Sequence, residues 1–323
     1  MVAIIGSGMA GLLAGCMFRL DGQIYEAAPS LPNNHHALLR FKSDEIGRFL
    51  NIPFREVNVM KINKEWKNPV ADAVAYSMKC TGEAVLRSST TAKGEIERRF
   101  IAPPDFISQM ERHQNNPIRY GQTVDRKLIE SYHDVGQPII STMPMPVLMK
   151  LLDYDADLNF KNTVGAVIRM ELPIETEVCA TIYYPNPDLE QSRATLTGQL
   201  LQIELPILWA HGEAVDAFIA SLNDRQSATF NTYVASVLSD FGFHPVAFER
   251  CQLTVVKQKY AKILPIDERE RKKFIVWATD NFGVYSLGRF AIWQPGLLLD
   301  SVFRDAQAIQ KMITHGNYDG KKG

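Results

Sequence analysis

The chain has no Cys-x-x-Cys pair; its four cysteines, Cys16, Cys80, Cys179 and Cys251, stand far apart. That spacing suits neither a disulfide framework nor a zinc site, and no metal is expected. Neither sign of charge is in excess. Lys and Arg total 35, Asp and Glu 36, for a formal net charge of -1, so no global field draws the molecule to a polyanion or an acidic membrane. No apolar run approaches the roughly 20 residues of a membrane helix. Met1 is followed directly by Val2-Ala3-Ile4-Ile5 and a glycine motif, without a basic leader, so a cytoplasmic, soluble protein is expected. Internal repeats, heptads and low-complexity blocks are missing as well. What is present is ordinary globular composition: 323 residues, 46% hydrophobic, 22% charged and 10% aromatic, enough for one or two compact lobes.

Val2 to Ile5 form a short apolar run rich in β-branched side chains, the pattern of a strand buried on both faces of a parallel sheet. It leads into Gly6-Ser7-Gly8-Met9-Ala10-Gly11. In a Gly-x-Gly-x-x-Gly turn the first glycine makes the tight bend, the second leaves room for a pyrophosphate, and the third lets the next helix close on the strand. The helix N-terminus then presents free N–H groups and partial positive charge to a phosphate. Leu12, Leu13, Cys16 and Met17 form its apolar stripe, Arg19 to Gly22 close it, and Gln23 to Ala27 read as a second strand. Glu26, twenty residues after Gly6, stands where a carboxylate accepts hydrogen bonds from ribose hydroxyls and repels a 2′-phosphate. Strand, turn, helix, strand and acid in this order point to nucleotide binding; the alternative is a glycine-rich turn without a ligand.

After Glu26 the Pro- and Asn-rich stretch to Asn34 is a loop, followed by His35-His36. In a doubly wound fold the chain leaving the second strand passes over the cofactor side of the sheet, which makes these histidines candidate catalytic bases. Adjacent residues point in different directions, so at most one faces a ligand. From about 54 to 100 polar and apolar residues alternate, with a polar hairpin or loop at Ser88 to Gly94. Helices are expected from Asp105, a candidate cap, to His113, over Arg126–His133 and over Val147–Leu152, with a strand at Ile139–Thr142. Val164–Met170, Val178–Tyr184 and Ala194–Ile203 read as strands of an antiparallel sheet, followed by helices at Ala214–Leu222 and Ala228–Asp240 and a strand near Cys251–Lys257. Phe274–Thr279 and Val284–Leu287 read as strands, and Leu299–Ile313 as a final helix.

The run Ser286-Leu287-Gly288-Arg289, continuing to Trp293, precedes that last helix, whose first turn carries Asp300. Together with the N-terminal turn it resembles the C-terminal flavin motif of the UDP-galactopyranose mutase and amine-oxidase-like FAD superfamily. Ile139 to Pro146 resembles the strand that returns the chain to the FAD domain there, and Tyr183-Tyr184-Pro185 its substrate-lobe strands. The resemblance implies an FAD cofactor and an α/β fold: a Rossmann-type FAD-binding domain with a doubly wound parallel sheet, and a smaller α+β substrate domain containing an antiparallel sheet. The FAD-binding domain is expected at residues 1–53, 101–155 and 265–323, and the substrate domain at 54–100 and 156–264. Gly6, Gly8, Gly11 and Glu26 carry over as adenosine and pyrophosphate contacts, and Gly288 and Arg289 as flavin or pyrophosphate contacts. Ser7, Met9, Ala10, Ala27, Arg40, Trp293, Leu299 and Asp300 carry over as further cofactor-binding positions. The family's glycine-glycine-arginine segment after the second strand is replaced here by Asn33-Asn34-His35-His36, and no second Gly-x-Gly-x-x-Gly is present for an NADPH domain.

A flavin supplies hydride chemistry itself, so no nucleophilic triad is required, and Ser7 and Ser141 have no partner pattern. Three functions are open. The first is an FAD-dependent oxidoreductase removing a hydride from a C–H beside an amine (amine-oxidase-like) or alcohol of a small molecule, with His35 or His36 as base. The second, a non-redox flavin-dependent mutase acting on a nucleotide sugar, needs a cationic clamp on the diphosphate, for which Arg169, Arg193, Arg289 and Lys257 are candidates. The third is a flavoenzyme modifying an amine or base carried on nucleic acid. It would dock through Lys257, Lys259, Lys262, Arg269, Arg271, Lys272 and Lys273, or through Arg87, Lys93, Arg98 and Arg99. Acids at Asp267, Glu268 and Glu270 dilute the first group, which favours a solvated charged face and a small-molecule substrate.

Overall fold

A computed structural model describes the chain except for residues 1, 19–21, 32–38, 66–67, 85–93, 115, 174–175, 209–210, 225–227, 245–250 and 316–323. In chain order the elements are β1 (Ala3–Ile5), α1 (Met9–Met17), β2 (Ile24–Tyr25), β3 (Arg40–Phe41), α2 (Glu45–Leu50), β4 (Arg55–Asn63), α3 (Pro69–Thr81) and β5 (Glu95–Ile101). They continue with α4 (Phe106–Arg112), β6 (Ile118–Arg119), α5 (Arg126–Asp134), β7 (Ile139–Ser141), α6 (Met145–Leu151), β8 (Asn162–Glu171), β9 (Cys179–Tyr183), β10 (Arg193–Thr197) and β11 (Leu200–Ile207). The remainder are α7 (Glu213–Asn223), α8 (Ala228–Asp240), β12 (Gln252–Ile263), α9 (Glu268–Phe282), β13 (Val284–Ser286) and α10 (Leu299–His315). The chain divides into two compact units: unit 1, Met1–Arg55, Phe100–Phe160 and Pro265–Gly323, and unit 2, Glu56–Arg99 and Lys161–Leu264.

Unit 1 holds a five-stranded sheet of order β13-β7-β1-β2-β6, with every neighbouring pair parallel. The buried run Val2 to Ile5 forms its central strand, as expected where both faces are covered. Ile4 and Ile140 share a core with Leu12, Leu13 and Met17 of α1, Phe106 and Met110 of α4, and Val302, Phe303 and Ala306 of α10. One expectation fails here: Phe274–Thr279 is not a strand but the middle of α9. The Asp267 side chain caps that helix through Glu270 N–H, Gly283 ends it in a left-handed conformation, and its buried residues Arg271, Phe274 and Ala278 follow helical spacing. Only that stripe is covered, and Val276 is 57% exposed, so the β-branched run meets a helix's demands and not a strand's.

Unit 2 is built on strands in the order β12-β8-β11-β10-β9-β4-β5. The pairs from β12 to β9 are antiparallel, whereas β4 joins β9 in parallel. Phe100 and Ile101, at the end of β5, belong to unit 1 and pair there with β3. The stretch Ala194–Ile203 is a hairpin, not one strand: Gly198, at φ 56, turns the chain and sets Thr197 opposite Leu200. The alternating reading of 54–100 also missed α3. Asn68 Oδ1 accepts from Val70 and Ala71 N–H, Pro69 opens the first turn and Gly82 closes the last, a full set of helix signals. Because strand side chains alternate, the sheet has two unlike faces. Ile168, Met170, Ile182, Ala194, Leu196, Leu201 and Ile203 alternate with polar residues and share a core with Val215 and Leu222 of α7 and Val234 and Val237 of α8. The opposite face carries Thr163, Arg169, Thr181, Tyr183, Arg193, Gln202 and Glu204.

Among the described residues, no helix is long and apolar enough to cross a membrane, and no group of three or more His, Cys, Asp or Glu could hold a metal ion.

Candidate functional site

The glycine turn closes at the carboxyl end of β1. Gly6, at φ 94, donates its N–H to Tyr25 O at 2.8 Å, which ties the turn to β2. A Cβ on Gly6 would lie 2.3 Å from Thr142 Oγ1, and one on Gly11 only 1.9 Å from Gly6 O. The helix therefore sits on the turn as closely as backbone allows. Gly8, the N-cap of α1 at φ -63, has nothing within 4 Å of its would-be Cβ. That opening, beside free N–H groups at a helix start, is the space a pyrophosphate requires.

Glu26 follows β2 and is anchored to the turn. Its Oε2 accepts from Ser7 N–H at 2.7 Å and from Ser7 Oγ at 2.9 Å, and Oε1 accepts from Ala28 N–H at 2.9 Å. Two carboxylate oxygens offer about four acceptor directions, so one remains for a hydroxyl, and the side chain is partly exposed. Ser7 itself is 1% exposed; it positions Glu26. Ala27 is exposed beside it. Tyr25 and Tyr132 share a hydroxyl contact of 3.0 Å, and burial together with the Tyr25 hydroxyl pushes the Tyr132 phenol up to about 12. Nearby Tyr120 is also pushed up, by burial and by the Glu111 carboxylate that accepts its hydroxyl at 2.6 Å.

The C-terminal motif reaches the same turn. Gly288, at φ 100, lies so near α1 that an added Cβ would stand 2.8 Å from Ala10 Cβ. Met9, Ala10 and Leu299 are partly buried and pack on the unit 1 core. Arg289 is half-buried with its guanidinium over the Phe290 ring, 5.6 Å from the centroid. Asp300 is 3% exposed; its Oδ1 accepts from Lys42 N–H at 3.0 Å and Ser43 N–H at 3.1 Å, and its Oδ2 is buried without a partner. Arg40 of β3, two residues before Lys42, pairs with Ile101 of β5. Ser141 and Ser286, register partners at the carboxyl ends of β7 and β13, also bury hydroxyls that have no partner. The carboxyl edge of a parallel sheet is where ligands of such folds bind, and buried polar groups call for partners.

Trp293 stands apart from this set. Its side chain is 1% exposed and its ring meets that of Phe160 edge-on at 4.8 Å. His35 and His36 lie outside the described residues. Thr142 was not recognised from sequence as part of the site: its N–H and Oγ1 both donate to Ile5 O, at 2.9 and 2.8 Å, and it forms the wall that Gly6 must clear. A threonine closing a predicted strand beside the glycine turn was the available signal.

The glycine cradle, the open space at Gly8, the remaining capacity of Glu26 and the orphaned Asp300 oxygen together fit a dinucleotide whose ribose carries a free 2′-hydroxyl. No protein family matches the chain by sequence, and neither does any curated protein. Solved structures match it in fold. A CLA-producing fatty acid isomerase from P. acnes is 12% identical, with 98% of each chain covered and a TM-score of 0.56. An oxidoreductase from Methanosarcina mazei is 10% identical over 96% of this chain and 99% of that one, at 0.54. A flavin-dependent brominase is 12% identical over 98% of this chain and 80% of that one, also at 0.54. These likenesses establish the fold: a mixed α/β chain with a parallel sheet and a second, largely antiparallel sheet.

Proposed function

We propose that the chain is an FAD-dependent oxidoreductase, of the amine-oxidase-like kind, that removes a hydride from a C–H beside an amine or alcohol of a small molecule. The observation that carries the reading is the meeting of Gly8, Glu26 and Gly288 around one turn, with a buried unpartnered carboxylate oxygen on Asp300. The flavin dependence of the brominase of like fold supports the cofactor. Bound FAD supplies the two-electron acceptor. The protein's part is to seat the pyrophosphate on the α1 N-terminus, to hold ribose hydroxyls at Glu26, and to accept a further hydroxyl at Asp300 Oδ2. In this reading His35 or His36 takes the proton from the substrate amine or alcohol.

The mutase reading is not adopted, because two of its four clamp candidates are engaged elsewhere: Arg193 holds Glu204 and Lys257 holds Asp216. Nor is the nucleic-acid reading, since Arg271 and Lys272 pair with Glu268, Lys273 with Glu270, and Arg99 with Glu97. The purified protein is expected to be yellow, with the two visible absorption bands of oxidised flavin, and to bleach anaerobically with an amine or alcohol substrate. A colourless protein that does not take up FAD overturns the reading, and so does turnover of a nucleotide sugar by reduced protein without an electron acceptor.

A further inference from the structure

The turn after β13 carries the C-terminal motif, and it is held in place from outside. From Gly288 to Gln294 the chain is neither helix nor strand, and left-handed backbone stands near both ends, Gly288 at φ 100 and Trp293 at φ 46. A tryptophan adopts that conformation only where its surroundings impose it. Within the turn, Ile292 N–H donates to Gly288 O at 3.0 Å and Gln294 N–H to Arg289 O at 3.0 Å. Met145 N–H, which has no acceptor of its own in the first turn of α6, donates to Phe290 O at 2.9 Å.

Arg271 supplies a further tie. It belongs to the cationic run first considered as a nucleic-acid face, yet it is 8% exposed, while Lys272 and Lys273 beside it are exposed. Its Nε and Nη2 donate to the two oxygens of Glu268 at 2.8 and 2.9 Å, and its Nη1 donates to Ile292 O at 2.7 Å. The two-pronged contact fixes the plane of the guanidinium and so aims the third donor. Hydrogen bonds from Arg271 and Lys272 hold the Glu268 carboxyl down at about 2, so the fork keeps its anion. Ile292 is therefore gripped twice, its C=O by Arg271 and its N–H by Gly288 O. Gly288 in turn lies against Ala10 of α1. One line of contacts, all within unit 1, runs from the guanidinium to the helix start where the pyrophosphate is seated.

We propose that Arg271 is a positioning residue for the cofactor: oriented by Glu268, it holds Ile292 and through it Gly288 and Arg289 at the distance from α1 that bound FAD requires. This inference rests on the FAD reading. Pairing with Glu268 does not itself need an arginine, since Lys272 also reaches that carboxylate, at 3.1 Å. The donor left over for the turn is what a planar fork offers and an ammonium does not.

The test titrates the full chain, parent and variants, with FAD, following flavin fluorescence, the visible spectrum of the bound flavin and Tm. Arg271→Met is expected to weaken FAD binding about tenfold or more, as for loss of a hydrogen bond from a charged group, and to move the visible bands. Glu268→Gln, at the surface, loosens one arm of the fork; a loss of about threefold with little change in Tm is expected, and this variant carries the test if Arg271→Met does not fold. Asp267→Ala is the control. It removes the cap on Glu270 N–H of the same helix and should lower Tm with FAD affinity and bands as in the parent. A lower Tm in Arg271→Met with affinity and bands unchanged assigns Arg271 to the fold alone and overturns the proposal. Unchanged affinity in Glu268→Gln and Arg271→Met overturns it, as does an equal loss of affinity in Asp267→Ala. A parent that takes up no FAD refutes the proposed function and this inference with it, a result distinct from uptake that the Arg271 and Glu268 variants leave unaltered.

Discussion

Gly288 and Ala10 are 278 positions apart in the chain, yet a single methyl group on Gly288 would lie 2.8 Å from the Ala10 Cβ. The two sequence motifs thus share one wall of one site. With φ at 100, Gly288→Ala must strain its backbone as well as displace α1. A loss of about 2–3 kcal/mol is expected, together with loss of bound flavin. Thermal unfolding and the visible flavin absorbance of the purified variant measure the two effects.

Gly8 and Gly11 should separate folding from ligand binding. Gly11→Ala drives a Cβ to 1.9 Å from a backbone oxygen and should cost on the order of 3 kcal/mol or more. Gly8→Ala meets open space at an ordinary φ, so its stability should stay within about 0.5 kcal/mol of the parent's while flavin retention falls. Equal flavin content in Gly8→Ala and the parent would show that the opening is not the pyrophosphate seat.

Asp300 offers a similar division. Asp300→Asn can keep the Oδ1 bonds to Lys42 and Ser43 N–H and changes only the buried free oxygen, so folding should survive and FAD affinity should drop about tenfold. Asp300→Ala strands two backbone donors and should destabilise unit 1 by about 2–4 kcal/mol. Denaturant midpoints and flavin titrations distinguish the variants.

The pH dependence of stability should show the Glu204 carboxylate. Burial alone would raise it, but Arg193 and Lys262 outweigh burial and hold it down at about 2. A carboxylate lowered in the fold stabilises above its unfolded value of about 4.3 and loses that contribution as pH falls from there toward 2. With the side chain 21% exposed, the contribution is about 2 kcal/mol. Parent Tm should drop on titration from pH 5 to 3 more steeply than that of Glu204→Gln, which starts lower because Arg193 has lost its partner.

How much of this was legible in the sequence depends on how local the signal is. The turn at Gly6–Gly11 and Glu26 could be read because strand, glycine spacing and acid lie within one short segment. The helix α8 was placed at Ala228–Asp240, and α10 from Leu299, because their periodicity is unbroken. The strand reading of Phe274–Thr279 failed because β-branched propensity was weighed above the caps at Asp267 and Gly283, which lie outside that window. The α3 helix was missed although Asn68-Pro69 and Gly82 mark both ends. The contact of Trp293 with Phe160, 133 residues away, is one that no local pattern announces. The closeness of Thr142 to Gly6 is likewise a tertiary fact.

All four thiols are sealed in the fold, Cys16 at 4%, Cys80 at 2%, Cys179 at 4% and Cys251 at 3% exposure, and they are unevenly shared: Cys16 belongs to unit 1 and the other three to unit 2. A thiol-specific dye can react only when the surrounding structure opens. Labelling should therefore proceed in phases whose amplitudes stand as one to three, each timing the opening of its own unit without any engineered probe. Added FAD should slow the single-thiol phase and leave the three-thiol phase unchanged.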